Sequence, residues 1–241
     1  MPDPAPGIDY FYRRHPLTRW QVRASLRIRR RIYDWFCLRL GGVRGRTFLD
    51  HGTTPDTERG DSNCFIKWLL ADGAVVYAAS PEDIGPLAGA LPGLRLLPWP
   101  PRPEQLAGVY AVISSAVLEH VGSDQRQIEY LAGLLAARRT VLVTTPNRRH
   151  WLEFHTKLPL LHWLPRRWHR ALLTAVGLRF WADETNLNLV TRRDLIRQLG
   201  TASRLAAAPV SIAWFRPVFL GMVSNLVVLV EPFAPVAPSS P

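Results

Sequence analysis

The residues able to do chemistry fall in four short stretches. Asp50-His51-Gly52 sets a carboxylate and an imidazole before a glycine, and Thr53 and Thr54 follow. A glycine there lets the backbone approach a ligand, and a helix start just beyond favours polar or anionic groups. An ordinary strand-to-loop turn reads the same way. Glu82-Asp83 is a second acidic pair. Glu119-His120 comes soon after Ser114 and Ser115. A histidine with an ordinary pKa of about 6.5 can take a proton at neutral pH, and His120 can equally be a helix-entry residue bonded to backbone. Glu153, His155 and His162 form a further polar group, as structural partners, as part of a substrate pocket or, least, as ligands. Their spacing specifies no coordination geometry, so no metal is assigned. Cys37 and Cys64 are too few for a disulfide scaffold or a zinc site.

Bringing these stretches together requires a sheet. Thr47 to Asp50 reads as a strand, Ser62 to Leu70 as a helix, Ala74 to Ala79 as a strand and Glu82 to Ala90 as a helix. Leu94 to Leu97 is a third strand, followed by prolines that exclude a central strand. Val109 to Ser114 and Thr140 to Thr144 are the next strands, separated by a helix over Gln125 to Ala137 with Ser123 as its cap. Thr191 to Leu199 is a helix capped by Thr191, and Leu205 to Trp214 and Val223 to Val230 complete the sheet. This alternation predicts an α/β, doubly wound, mostly parallel seven-stranded sheet with ligands outside the carboxyl ends of its strands. Those ends are Asp50 to Thr54, Ser80 to Asp83, Ser114 to His120 and Thr145 to Arg148. Residues 147–185 are crowded with aromatics and histidines and read as an insertion over the strand ends, with Trp151, Trp163 and Trp168 as its core or, less readily, as a substrate cage.

A hydrophobic share of 47% excludes global disorder, and no run reaches the roughly 20 apolar residues that span a bilayer. The net charge of +11 is uneven: residues 1–49 hold eleven arginines against three aspartates. From Arg19 to Leu40, Trp20, Leu26, Ile28, Ile32, Trp35, Phe36 and Leu40 make an apolar stripe, with Arg19, Arg23, Arg27, Arg30 and Arg31 largely on the other side. Such a helix is a lid on the domain or lies on an anionic membrane surface. Nucleic acid is not an expected partner, because no reader motif follows. The segments are then 1–43, a basic arm and helix; 44–231, the domain; and 232–241, a disordered tail. The opening Met1-Pro2-Asp3-Pro4 has neither a basic nor an apolar leader. The expected location is cytoplasmic, with peripheral contact at the inner membrane face through residues 19–40.

Ser114-Ser115-Ala116-Val117-Leu118-Glu119-His120-Val121-Gly122 carries a more specific signal, continued by Thr144-Thr145-Pro146-Asn147-Arg148, Glu153-Phe154-His155-Thr156 and Asn186-Leu187-Asn188-Leu189. With Leu49-Asp50-His51-Gly52-Thr53-Thr54 and Ser62-Asn63, the chain resembles a bacterial branch of the class I S-adenosylmethionine-dependent methyltransferases. The resemblance covers roughly residues 17–230. It implies a Rossmann-like methyltransferase fold with S-adenosyl-L-methionine as cofactor. Asp50, Gly52, Thr53 and Thr54 would contact its methionine part, Glu82 or Asp83 its ribose, and Ser114 and Ser115 would floor the pocket. His120 and Glu119 would face the transferred methyl, with Glu153 and His155 orienting the acceptor. The chain departs from the family pattern at Ala78-Ala79-Ser80 and Leu97-Pro98-Trp99-Pro100, where acids are usual, and Trp99 is available to stack on adenine. The expected function is methyl transfer to a small-molecule or lipid-linked acceptor; the alternative is a catalytically silent methyltransferase-like binding or assembly protein.

Overall fold

The computed structural model describes residues 18–233. The expected arm before residue 18 and the tail from 234 lie outside the described residues, as do the side chains of Arg19 and Trp20.

The chain begins with helix α1 (Thr18–Leu40) and continues through β1 (Thr47–His51), α2 (Cys64–Ala71), β2 (Val75–Ala79), α3 (Gly85–Ala90) and β3 (Leu94–Leu96). Then come α4 (Pro103–Leu106), β4 (Ala111–Ser115), α5 (Asp124–Ala136), β5 (Thr140–Pro146), α6 (Arg166–Ala175), α7 (Arg179–Ala182) and α8 (Arg192–Leu205). The last elements are β6 (Val210–Phe215), β7 (Val218–Phe219), β8 (Met222–Val223) and β9 (Asn225–Pro232). Seven strands form one sheet in the order β3-β2-β1-β4-β5-β9-β6. β1 to β5 are parallel, and β9 alone runs antiparallel between β5 and β6.

Period-two alternation explains the two layers. Phe48, Val76, Leu142, Val227 and Leu229 face a core shared with α1 and α2; Leu49, Val112, Val141, Val143, Val228 and Val230 face one shared with α5 and α8. Because the order reverses between β1 and β4, the loops after these strands diverge and open a crevice at their carboxyl ends.

Helix α1 belongs to the first core. Ile28, Ile32, Tyr33, Phe36 and Leu40 are buried there, and Trp35 stacks on Phe215. Arg23, Arg27, Arg30 and Arg31 face solvent, Arg30 pairing with Asp34 at 2.8 Å. No helix among the described residues is long and apolar enough to cross a membrane.

Ser123 caps α5 by accepting from the Arg126 N–H, and Thr191 and Asp194 form a reciprocal capping box on α8. Three expectations need correction. Helix α8 runs to Leu205, because Leu195, Leu199 and Ala202 keep its buried face in phase; the strand expected from Leu205 begins at Val210. Val223 belongs to a two-stranded hairpin turned by Leu220 and Gly221, both at positive φ. The insertion is cored by Leu173, Trp181, Leu187 and Leu189, while Trp163 and Trp168 are more than half exposed.

Candidate functional site

A cavity of about 420 Å³ opens at the crevice between the β1 and β4 ends, within the usual range for small-molecule sites. Asp50, Gly52, Thr53 and Thr54 reach it from β1 and its loop, Ser80, Pro81 and Glu82 from the loop after β2, and Ser115, Val117, Glu119 and His120 from the end of β4. Trp99 and Tyr130 add aromatic wall, Phe154 and His155 come from the insertion, and Arg29 comes from α1.

Register explains the convergence. Asp50 is level with Ala78 of β2 and Ile113 of β4, so the loops that follow leave the sheet side by side. The Asp50 carboxylate accepts from the Thr53 hydroxyl at 2.6 Å, and burial raises its pKa to about 6. Gly52 sits at φ 87°, and a Cβ there would lie 2.7 Å from a Val117 methyl. The glycine is therefore demanded by a left-handed backbone and by the β4 loop packed against it, in addition to any ligand.

Glu82 lines the cavity, whereas Asp83 is exposed and accepts from the Gly85 N–H at 2.9 Å at the start of α3. Ser115 reaches the wall, its hydroxyl 3.0 Å from that of Thr144. Ser114 lies behind the lining, fully buried and bonded to Tyr130 at 2.9 Å; Tyr130 in turn meets His51 at 3.1 Å. Burial alone lowers the His51 pKa to about 4, leaving that ring neutral.

Around Glu119 the polar groups are densely coupled. Its Oε2 accepts from the Thr145 hydroxyl at 2.8 Å, and burial raises its pKa. Its Oε1 is buried without a hydrogen-bond partner among the described residues. His120 Nδ1 donates to the Asn186 carbonyl at 2.6 Å, which fixes the tautomer. Burial, then the charge of His155, lower the His120 pKa to about 3. The near-neutral pKa that suited His120 to general-base work is thus lost in the fold.

Glu153 stands behind His155 rather than on the cavity wall. Its carboxylate accepts from His155 Nδ1 at 2.7 Å, from the His155 N–H at 2.9 Å and from the Thr156 hydroxyl at 2.7 Å. Burial opposes both charges, but the pairing prevails: Glu153 is held low and His155 is raised. His162 does not join this group. Its Nε2 donates to the His150 carbonyl at 2.7 Å, and it lines a small recess with Arg148, Arg166 and Arg170.

Arg29 escaped the sequence reading, which gave the asparagines at 186 and 188 no role beyond the family resemblance. Arg29 donates to the Asp61 carbonyl and lowers the pKa of Asp50 against the dominant effect of burial. It lies four residues before Tyr33 and seven before Phe36, on the buried stripe, and that position was the available signal. The Asn188 side chain donates to the Gly122 carbonyl at 2.6 Å and its backbone N–H to the Glu119 carbonyl at 2.7 Å. With the Asn186 carbonyl, this segment clamps the β4 loop.

No protein-family model and no curated protein matches the chain. Among solved structures, the chain is similar to the methyltransferase domain of bacterial CtHen1-CN, with a TM-score of 0.54, 12% identity, and coverage of 85% of this chain and 99% of that one. It is also similar to a cyclopropane-fatty-acyl-phospholipid synthase-like protein from Lactobacillus casei ATCC 334, with a TM-score of 0.50, 10% identity, and coverage of 90% and 94%. At these identities the likeness establishes the fold, and that fold is the Rossmann-like one of class I methyltransferases.

Proposed function

We propose that this protein is an S-adenosylmethionine-dependent methyltransferase acting on a small-molecule or lipid-linked acceptor. The observation that carries the reading is the cavity at the switch point of the sheet, walled by Asp50, Thr53, Glu82 and Arg29. These residues fit the cofactor. The Glu82 carboxylate suits a ribose diol, which donates two hydrogen bonds. The Arg29 guanidinium suits the methionyl carboxylate, and Trp99 offers a face to the adenine. When bound, S-adenosylmethionine supplies an electrophilic methyl group on a sulfonium.

The chain's own residues bind and orient. The acceptor meets Glu119, His120 and His155, which line the same cavity, and the catalytic contribution is mainly the positioning of two reactants. His120, kept neutral and held by Asn186, orients the acceptor and is a weak base. Glu119, whose affinity for a proton is raised by burial, is the better proton acceptor.

Calorimetric titration with S-adenosylhomocysteine tests the reading directly. The expected result is one site per chain. Glu82→Ala should weaken it by about 1–3 kcal/mol, the cost of unpaired polar groups, and Arg29→Gln by a similar amount. Asp83→Ala should leave affinity unchanged, since its carboxylate serves the start of α3. Absence of binding to the wild-type protein would favour the silent, assembly-type reading. That reading draws on the missing acids after β2 and β3.

A lipid-linked acceptor makes a separate prediction. Arg23, Arg27, Arg30 and Arg31 lie on the helix that also supplies Arg29 to the cavity. Near an anionic surface each contributes on the order of 1 kcal/mol, fading with salt. The protein should co-sediment with anionic but not neutral vesicles, and changing these four arginines to Gln should abolish it. Equal behaviour on both vesicle types would reject membrane contact and leave a soluble acceptor.

A further inference from the structure

Glu119, His120 and His155 come from two separate loops, yet one ligand atom from each lies within 4.8 Å of the others. Each side chain is fixed from behind by a different partner. His120 Nδ1 donates to the Asn186 carbonyl, His155 Nδ1 to the Glu153 carboxylate, and the Thr145 hydroxyl donates to Glu119 Oε2. Glu119 Oε1 approaches the His120 ring, and His155 completes the cluster. An imidazole backed by a carboxylate or a carbonyl is the arrangement that orients histidine toward metal. Glu119 Oε1 is a second, independent sign: a buried carboxylate oxygen without a hydrogen-bond partner among the described residues is costly unless something occupies the space before it.

We propose that Glu119, His120 and His155 bind one divalent cation at the cavity wall. An ion about 2.1 Å from each donor sets the donors roughly 3–4 Å apart. Glu119 Oε1 and His120 Nε2 already stand 4.0 Å apart and all three donors lie within 4.8 Å, so contractions of no more than about 1–2 Å complete the set. Two imidazoles and one carboxylate suit zinc, cobalt, manganese or iron(II) better than magnesium or calcium, which prefer oxygen. Three protein ligands leave coordination positions open, and all three residues line the cavity. An acceptor oxygen bound there becomes more acidic, which names the acceptor class as a hydroxyl compound. That consequence rests on the methyltransferase reading; the metal site itself does not.

The test uses the full, tag-free chain stripped with a chelator and titrated with cobalt(II) chloride, read by visible absorption. One cobalt per chain, displaced by zinc, is expected. His155→Ala and Glu119→Gln should each weaken cobalt binding at least about 100-fold, and Glu153→Gln about 10–100-fold through the lost support of His155. Thermal melting checks that each variant folds; Glu119→Gln, which keeps the shape of the side chain, decides the matter if His155→Ala does not. No stoichiometric cobalt on the wild-type chain, or wild-type affinity in folded Glu119→Gln, would overturn the proposal and leave a metal-free Glu153–His155 ion pair. S-adenosylhomocysteine titrated alongside separates the two readings. Cobalt without it supports the metal site and removes the methyltransferase reading; the reverse overturns the metal site alone.

Discussion

Gly52→Val is expected to abolish S-adenosylhomocysteine binding. At φ 87° a β-branched residue is a backbone outlier, and an added Cβ meets the two Val117 methyl carbons at 2.7 and 2.8 Å. Relief requires moving either the β1 loop or the β4 loop. The first displaces Asp50 and Thr53; the second displaces Glu119 and His120. Either movement removes a wall of the cavity, so affinity should fall by at least about 100-fold, equivalent to roughly 3 kcal/mol. Stability should fall as well, by about 1–3 kcal/mol for the overpacked contact. Gly52→Ala with Val117→Ala relieves the clash and keeps the backbone strain, and should recover part of the stability. Wild-type affinity in folded Gly52→Val would sink the assignment of the β1 loop to the ligand.

Phe36→Ala should cost about 3–5 kcal/mol, as truncations of fully buried aromatics do. Its ring is completely buried and meets Phe48 of β1 edge-on at 6.0 Å. In a chain of this size the melting temperature should drop by roughly 6–20 °C. Leu38→Ala, at a position 80% exposed on the same helix, should change stability by less than about 0.5 kcal/mol. A Phe36→Ala melting point within about two degrees of wild type would mean that α1 is a detachable lid. The expected loss makes it part of the body, and Arg29 reaches the cavity from that fixed position.

The sheet was legible because its signals are local. Buried strands such as Ala111–Ser115 and Thr140–Pro146 are short apolar runs between loops, and Ser123 and Thr191 announce their helices. The misreadings fell where apolar runs have no decisive period, as from Leu205 to Ala208, or where a two-residue turn with positive φ lacked a common turn pair, as at Leu220-Gly221. At the site, Asp50, Gly52, Thr53, Thr54, Glu82, Ser115, Glu119, His120 and His155 do line one cavity. Ser114 and Glu153 stand directly behind it, and Asp83 turns to α3. What the sequence did not carry was environment. Whether His120 is basic depends on burial and on a carbonyl 66 residues away, and neither has a local signature.

The antiparallel strand β9 has a consequence for how the chain is made. Among the described residues, β6 pairs in the sheet only with β9, and β5 has β9 as its outer neighbour. During synthesis, β1 to β5 and their helices can assemble while β9 is still inside the ribosome, leaving the Val141–Pro146 edge with open hydrogen-bonding groups. β6 emerges next, ahead of β9, the strand it pairs with. Such an edge, apolar on both faces, invites pairing with other nascent chains. The nascent chain therefore carries this edge until residues 225–232 take their place between β5 and β6, a pairing of high sequence separation.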